Sequence, residues 1–284
     1  MKLTFTKMHG AGNDYVYIDC FRQQVSCPGE LSKLFSDRHK GIGGDGLVLI
    51  CPSDVADAQM RMFNADGSEG SMCGNAIRCV SRYLFDHRMI TGNDIRIETK
   101  SGIKDIHITE ENGRFVSASV NMGLARFAPK DIPMLYDGDS FIAKPLEVQG
   151  KIWNCTAVSM GNPHCVTFVE DVDALPLEKI GPSFENHPLF PDRVNTEFIQ
   201  LIDRTHIRMR VWERGSGETM ACGTGSCAAV AACVQNGFCG IESPVEVQLR
   251  GGVLTDVYRS DGTVLMDGPA SHVFEGVVDT DDFS

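Results

Sequence analysis

The chain reads twice. With Cys73 laid on Cys222, 149 positions later, Arg61 and Arg210 each fall 12 before the cysteine and Glu69 and Glu218 each 4 before. Gly102 and Gly251 each fall 29 after it, and Gly113 and Gly262 each 40 after. Element order agrees with the spacing: strand, polar glycine-containing loop, Cys-Gly, helix, two strands, glycine turn, strand. A chain of 284 residues has room for about two domains, so a duplicated unit fits its length. In the first half, 3–7 and 15–19 read as strands around a glycine turn at 9–14, and 30–38 as a short helix. Strands follow at 47–51 and 60–63. Residues 75–88 carry Ala76, Ile77, Val80, Leu84 and Phe85 at helical spacing. Residues 95–99 and 106–109 alternate, with a hairpin turn at Asn112-Gly113. In the second half, 207–212 reads as a strand, 223–234 as a small apolar helix, 245–249 as a strand and Asp261-Gly262 as a turn. Hairpins around one long helix per half predict an α+β fold. It has two pseudo-symmetric lobes, each a mostly antiparallel sheet wrapped around a central helix, with the active site in the cleft between them. The lobes are 1–122 and 123–268, with the boundary in the proline-containing stretch 122–138.

Charge and cysteine usage narrow the function. With 26 Lys and Arg against 38 Asp and Glu, the net charge of −12 repels nucleic-acid phosphates and anionic membranes. The longest apolar run, 227–234, is far short of a membrane span of about 20 residues. The N-terminus lacks a signal-peptide apolar region, so a cytoplasmic location is expected. Eleven cysteines without a CxxC pair point to thiols in a reducing compartment and to no metal site.

Two of those thiols stand apart from the rest. MCGNAIRC (72–79) and ACGTGSCA (221–228) put Cys73 and Cys222 each at the start of a helix. A helix N-terminus lowers a thiol's pKa and exposes the thiolate. The next residue, Gly74 or Gly223, lets a ligand approach the backbone closely. The free N–H groups of Gly74-Asn75 and Gly223-Thr224 form two anion sites. Facing one another, they would hold one carboxylate between two helix ends. One thiolate would then take the proton from the carbon beside that carboxylate, and the second thiol would deliver a proton to the opposite face. Configuration inverts with no cofactor, and the helix ends stabilise the enolate-like charge. Cys79 and Cys227, inside the two helices, read as core. GIGGDG (41–46) lacks the Lys-Ser/Thr of a P-loop, and HGAGND (9–14) opens no helix, so neither reads as a nucleotide site. His164 in GNPH is open to a turn-capping role, and Glu213-Arg214 in WERGSGET to that of a solvated loop pair.

Long motifs in order resemble the diaminopimelate epimerase family of cofactor-independent isomerases. They are FTKMHGAGNDY (5–15), RHKGIGGDG (38–46), FNADGSEGSMCGNAIRC (63–79), GNPH (161–164), VNTEF (194–198) and WERGSGETMACGTGSCA (212–228). The resemblance implies interconversion of LL- and meso-2,6-diaminopimelate in lysine and peptidoglycan-precursor biosynthesis, with Cys73 and Cys222 as the two bases. Gly74, Asn75, Gly223 and Thr224 match the cradle of the reacting carboxylate. Asn13, Asn64, Asn162, Asn195, Glu213 and Arg214 match substrate contacts, with Arg214 suited to a second carboxylate. His164 and Glu213 match residues that support the thiols' proton balance. The family fold returns its C-terminal segment, about 269–284, to the first lobe. The expected partner is a small diamino diacid, and the family leaves room for a homodimer. Two positions depart from the pattern. Some members place Gln where this chain has Gly46, so that contact is absent here or supplied by backbone; many have Gly where it has Ala76. Three other functions compete, and one of them, a cysteine-rich metal or redox protein, would need a bound metal or a cycling CxxC pair that the spacing does not give. A racemase of another, proline-like amino acid would not need Arg214 and the distal asparagines. A non-catalytic amino-acid binding protein would keep the cradle but tolerate loss of the thiols.

Overall fold

A computed structural model of the protein describes residues 2–283, with side chains through 281. Residues 1 and 284, the ends of the first lobe and of the C-terminal segment expected from sequence, lie outside the described residues. The chain divides into two compact units, one running up to Val120 and resuming at Gly268, the other Asn121–Asp267.

Unit one begins with β1 (Lys2–Gly10), β2 (Asn13–Asp19), α1 (Pro28–Ser36), β3 (Gly46–Cys51) and β4 (Ala58–Asn64). It continues with β5 (Glu69–Gly70), α2 (Gly74–Asp86), β6 (Asp94–Thr99), β7 (Gly102–Glu111) and β8 (Arg114–Leu124). Unit two contains β9 (Lys144–Val148), β10 (Lys151–Ser159), β11 (Pro163–Phe168), α3 (Leu177–Glu185), β12 (Asn195–Leu201) and β13 (His206–Glu213). Then come β14 (Gly217–Glu218), α4 (Gly223–Gln235), β15 (Pro244–Leu249), β16 (Gly252–Tyr258) and β17 (Thr263–Gly268). The last strand, β18 (Ser271–Asp279), pairs antiparallel with β1 in unit one.

In unit one the strands run β18-β1-β2-β3-β4-β6-β7-β8, antiparallel except for β2–β3 and β4–β6. Unit two runs β9-β10-β11-β12-β13-β15-β16-β17, antiparallel except for β11–β12 and β13–β15. Each parallel step needs a crossover, and each is bridged by a helix: α1 and α2 in one unit, α3 and α4 in the other. The fold is therefore α+β, as expected from sequence, with two helical crossovers per unit where one long helix per half was expected.

The repeat holds in three dimensions over its central part. Tyr15 pairs with Gly46 as His164 pairs with Asn195, and Leu47 with Phe63 as Thr196 with Trp212. After α4 it slips. The loop 236–243 is one residue longer than 87–93, so the counterpart of Gly102 is Gly252, not Gly251. Thr99 pairs with Gly102 and Leu249 with Gly252, and both glycines sit at positive φ, 101° and 151°. The two turns expected from sequence also differ. Asn112 (φ 54°) and Gly113 (φ 72°) form the two-residue left-handed turn that suits a twisted hairpin. The second hairpin turns through 259–262, with only Gly262 left-handed and the Asp261 carboxylate gripping Thr263 N and Oγ1 at 2.9 and 2.6 Å.

Helix α1 ends at Ser36, two residues before the expected end, because Asp37 turns extended (φ −59°, ψ 119°). Helix α2 buries Ile77, Val80 and Leu84 against β1, β2, β4 and β7. The residues 228–233 of α4 are all buried, so that helix is packed nearly all round. Unit two has a core of Trp153, Phe184 and Phe198 in edge-to-face contact. No described helix is long and apolar enough to cross a membrane.

Candidate active site

In each unit a Cys-Gly pair lies between the short strand and the helix that bridges the second parallel step. In unit one Cys73 is the N-cap of α2, extended at φ −139° and ψ 119°, and its sulfur accepts from Ala76 N at 3.5 Å. A thiol here takes the place that Ser, Thr, Asp or Asn fills at most helix starts. The Cys73 thiol also donates to Asn13 Oδ1 at 3.5 Å, and Asn75 Nδ2 donates to the same oxygen at 3.4 Å. Asn13 is held in turn by its Nδ2, which donates to Asp45 Oδ2 at 2.6 Å; Arg38 binds the other oxygen of Asp45 at 3.0 Å.

Beneath this half-site lies Arg78, 0% exposed. Its guanidinium donates to Gly74 O at 3.0 Å, to Asn75 Oδ1 at 2.9 Å and to Pro269 O at 3.3 Å. The cation thereby pins both the first turn of α2 and the short link between β17 and β18. Tyr15, buried beside Cys73 and Asn13, has its phenol pushed well above the ordinary value, chiefly by burial, with Cys73 and Asp45 adding to the shift. Asn64 stands apart, its amide donating to Ser68 Oγ at 2.9 Å. Gly46 is closed to any side chain, since a Cβ there would lie 2.1 Å from Phe63 O and 2.8 Å from the Tyr15 ring.

In unit two Cys222 caps α4 in the same way (φ −122°, ψ 111°), with its sulfur accepting from Gly225 N at 3.3 Å and 3.5 Å from Thr224 Oγ1. It is only 6% exposed. The expectation of a low-pKa, accessible thiolate fails here. Burial raises the Cys222 thiol well above its ordinary value, and the Glu213 and Glu197 carboxylates raise it further, which outweighs the helix terminus. Glu213 is half-buried, accepts a hydrogen bond from Thr219, and is itself pushed up by burial.

His164 is fully buried between two partners: Nδ1 faces Glu197 Oε1 at 2.7 Å and Nε2 faces Asn162 Oδ1 at 3.0 Å. Asn162 passes the contact on, donating from Nδ2 to Thr224 Oγ1 at 3.3 Å. Asn195 is buried with both ends of its amide on backbone, donating to Pro163 O and accepting from Arg214 N, each at 2.9 Å. Arg214 is exposed, and its guanidinium donates to Asp192 O at 2.9 Å.

The structure thus gathers Asn13, Cys73, Gly74 and Asn75 in one half-site, and Asn162, His164, Glu213, Cys222, Gly223 and Thr224 in the other. It does not bring the amide of Asn64 or the guanidinium of Arg214 onto either thiol. Sequence reasoning missed Tyr15, Arg78 and Glu197. Glu197 carried a usable signal, a carboxylate at an inward position between Thr196 and Phe198 of an otherwise buried strand. Among the described residues no group of three or more His, Cys, Asp or Glu side chains is arranged to hold a metal ion.

Known proteins share both the fold and the sequence. Structures with the same fold include a phenazine biosynthesis protein of the PhzF family from Bacillus anthracis (TM-score 0.71, 20% identity, 98% of this chain and 99% of that one). A probable proline racemase from Agrobacterium radiobacter with bound carbonate matches equally well (TM-score 0.71, 14% identity, 99% and 94%). At those identities the likeness speaks of fold alone. Sequence relatives are far nearer. The diaminopimelate epimerase of Acetivibrio thermocellus is 53% identical over 98% of this chain and 99% of its own length. That of Methanococcus maripaludis is 51% identical over 98% and 100%. The family's sequence profile matches residues 5–128 and 156–273, a span that takes in both cysteine half-sites. On that match and those identities, the chain belongs to the diaminopimelate epimerase family.

Proposed function

We propose that the protein interconverts LL- and meso-2,6-diaminopimelate in the cytoplasm, on the route to lysine and peptidoglycan precursors, using Cys73 and Cys222 as its two bases. One observation carries the reading: a thiol caps the N-terminus of the corresponding helix in both units, and a glycine follows it in each. Inversion at carbon requires a proton to leave one face and another to arrive on the opposite face. Two thiols, one from each half-site, meet that need.

In one direction Cys73 acts as thiolate and removes the α-proton, while Cys222, held protonated, delivers its own proton to the other face. In the reverse direction the roles exchange. Charge that builds up on the substrate carboxylate is stabilised by the N–H groups of Gly74-Asn75 and Gly223-Thr224 and by the helix dipoles. The raised pKa values of Glu213 and Cys222 keep a proton available near the donor sulfur. The exposed Arg214 guanidinium, whose described hydrogen bond is to the backbone carbonyl of Asp192, can turn to the distal carboxylate.

Proton NMR in D₂O with pure LL-2,6-diaminopimelate, protein and a thiol reductant tests this. The expected result is loss of one α-proton signal as the meso isomer appears, with nothing else added. An unchanged spectrum with demonstrably reduced thiols would overturn the substrate assignment, and proline and hydroxyproline would be tried next in the same tube.

A further inference from the structure

Unit two buries a carboxylate that the backbone does not need. Glu197 is 0% exposed, and while Oε1 meets His164, Oε2 has no hydrogen-bond partner among the described residues. An unsatisfied buried carboxylate oxygen is destabilising, so a purely structural position would have shed it. Unit one shows that the strand forms without it: the residue 149 positions earlier is Val48, paired in the same register. The molecule also keeps room for the carboxylate. A Cβ built on Gly225 would lie 2.7 Å from Glu197 Oε1 and 3.2 Å from Cys222 Sγ, so any side chain there would displace the acid and crowd the sulfur.

The hydrogen bonds around His164 have a direction. Asn162 Oδ1 can only accept, so His164 Nε2 carries a hydrogen. A single proton then lies between Nδ1 and Glu197 Oε1, whichever of the two owns it. Asn162 Nδ2 donates to Thr224 Oγ1, which leaves the Thr224 hydroxyl hydrogen free to point at Cys222 Sγ, 3.5 Å away. From His164 Nε2 onward every donor faces the sulfur. Without an anchor on Nδ1 the imidazole could adopt the other tautomer, and the order would be lost.

We propose that Glu197 is a positioning residue for the epimerisation: its carboxylate locks His164 so that a one-way chain of hydrogen bonds ends as a donor on the Cys222 sulfur. The Thr224 hydrogen bond at the end of the chain stabilises the thiolate that Cys222 becomes after giving up its proton, against the opposing charge of the Glu213 and Glu197 carboxylates. This rests on the two-base reading above. The titratable groups facing Glu197 are His164 and Cys165 on β11, Glu213 on β13 and Cys222 at the start of α4.

Two substitutions separate positioning from packing. Glu197→Met fills the space but cannot bond to Nδ1. Glu197→Gln can still donate to Nδ1 through its amide. Positioning predicts that the Met variant melts at or above the wild-type temperature, yet loses about ten-fold or more in kcat with KM nearly unchanged. The Gln variant should recover most of that rate. A Met variant with wild-type kcat overturns the proposal, and so does a Gln variant no better than Met. A third measurement needs neither variant nor substrate: ¹⁵N NMR of the His164 ring in the wild-type protein. It should show Nε2 protonated, and a ring with a bare Nε2 overturns the proposal. Because that reading is independent of turnover, an inactive wild-type protein in the diaminopimelate assay would count against the function and not against the anchoring of His164.

Discussion

Unit one holds Tyr15, Val48 and Asn64 where unit two holds His164, Glu197 and Glu213, each pair 149 residues apart on matching strands. Where unit one buries Arg78 in α2, unit two has Cys227 in α4. The strand order, the two helical crossovers and the thiol at the helix start are the same in both. The charged groups differ: Glu197 and Glu213 stand in unit two where Val48 and Asn64 stand in unit one, and Arg78 in unit one where Cys227 stands in unit two. A frame that tolerates Val48 or Glu197 at one position does not need either for folding, so the difference reports on what each half-site does. Unit two concentrates acids and an imidazole around a buried thiol, where burial and carboxylate charge disfavour the thiolate. Unit one presents a half-exposed thiol over a buried cation.

Removing either thiol is the hardest test of that division. If the half-sites are complementary and not redundant, Cys73→Ala and Cys222→Ala should each lower epimerisation by about 10³-fold or more. The two Cys→Ser variants should suffer less, because a hydroxyl still carries a proton, though poorly. Turnover in both directions by NMR reads this directly. Near-normal activity in either Ala variant would mean that one half-site suffices, and the comparison would break.

The next largest effect concerns stability and the buried cation. Arg78→Met keeps volume but strips hydrogen bonds from Gly74 O, Asn75 Oδ1 and Pro269 O. Leaving such acceptors unpaired in the interior should cost about 3 kcal/mol. The counterpart change, Cys227→Ala, removes one small apolar group and should cost about 1 kcal/mol. Urea unfolding of both variants at neutral pH checks the contrast. Equal, small losses would show that Arg78 does not clasp the entrance of α2.

Much of this was legible in the residues. The duplication, the two cysteine-capped helices and the hairpin at Asn112-Gly113 announce themselves through spacing, helical period and left-handed turn chemistry. Helix α3 does not, because Gly181 and Pro182 stand in its middle and both disfavour a helix. Its glycine is explained only by tertiary contact, since a Cβ would meet the Trp212 ring at 2.2 Å. The slip between Gly251 and Gly252 was invisible for a different reason: two adjacent glycines satisfy the count equally well, and only strand register chooses between them. The pKa of Cys222 was misjudged because helix position is local, whereas burial and the carboxylates of Glu197 and Glu213 come from distant strands.

The smallest expected effect sharpens the comparison at the thiols themselves. Alkylation by iodoacetamide proceeds through the thiolate, so its rate against pH traces ionisation. Accessibility scales the whole curve, while pKa moves it along the pH axis; the midpoint is therefore the quantity to read, by peptide mass spectrometry of Cys222 and Cys73 in one digest. Burial and two facing carboxylates disfavour the Cys222 thiolate, so its curve should still be rising above pH 9.0, the ordinary thiol value. Glu213→Gln removes one of those charges, and the Cys222 midpoint should then fall by about one pH unit. A thiol with a raised folded-state pKa adds stability below its unfolded value and loses it as pH climbs towards the folded one. The wild type should therefore lose more stability above pH 9 than Cys222→Ser does. If the Cys222 midpoint sits at or below 9.0, or ignores the loss of Glu213, then the acids of unit two do not hold the proton, and the two half-sites are electrostatically more alike than their residues suggest.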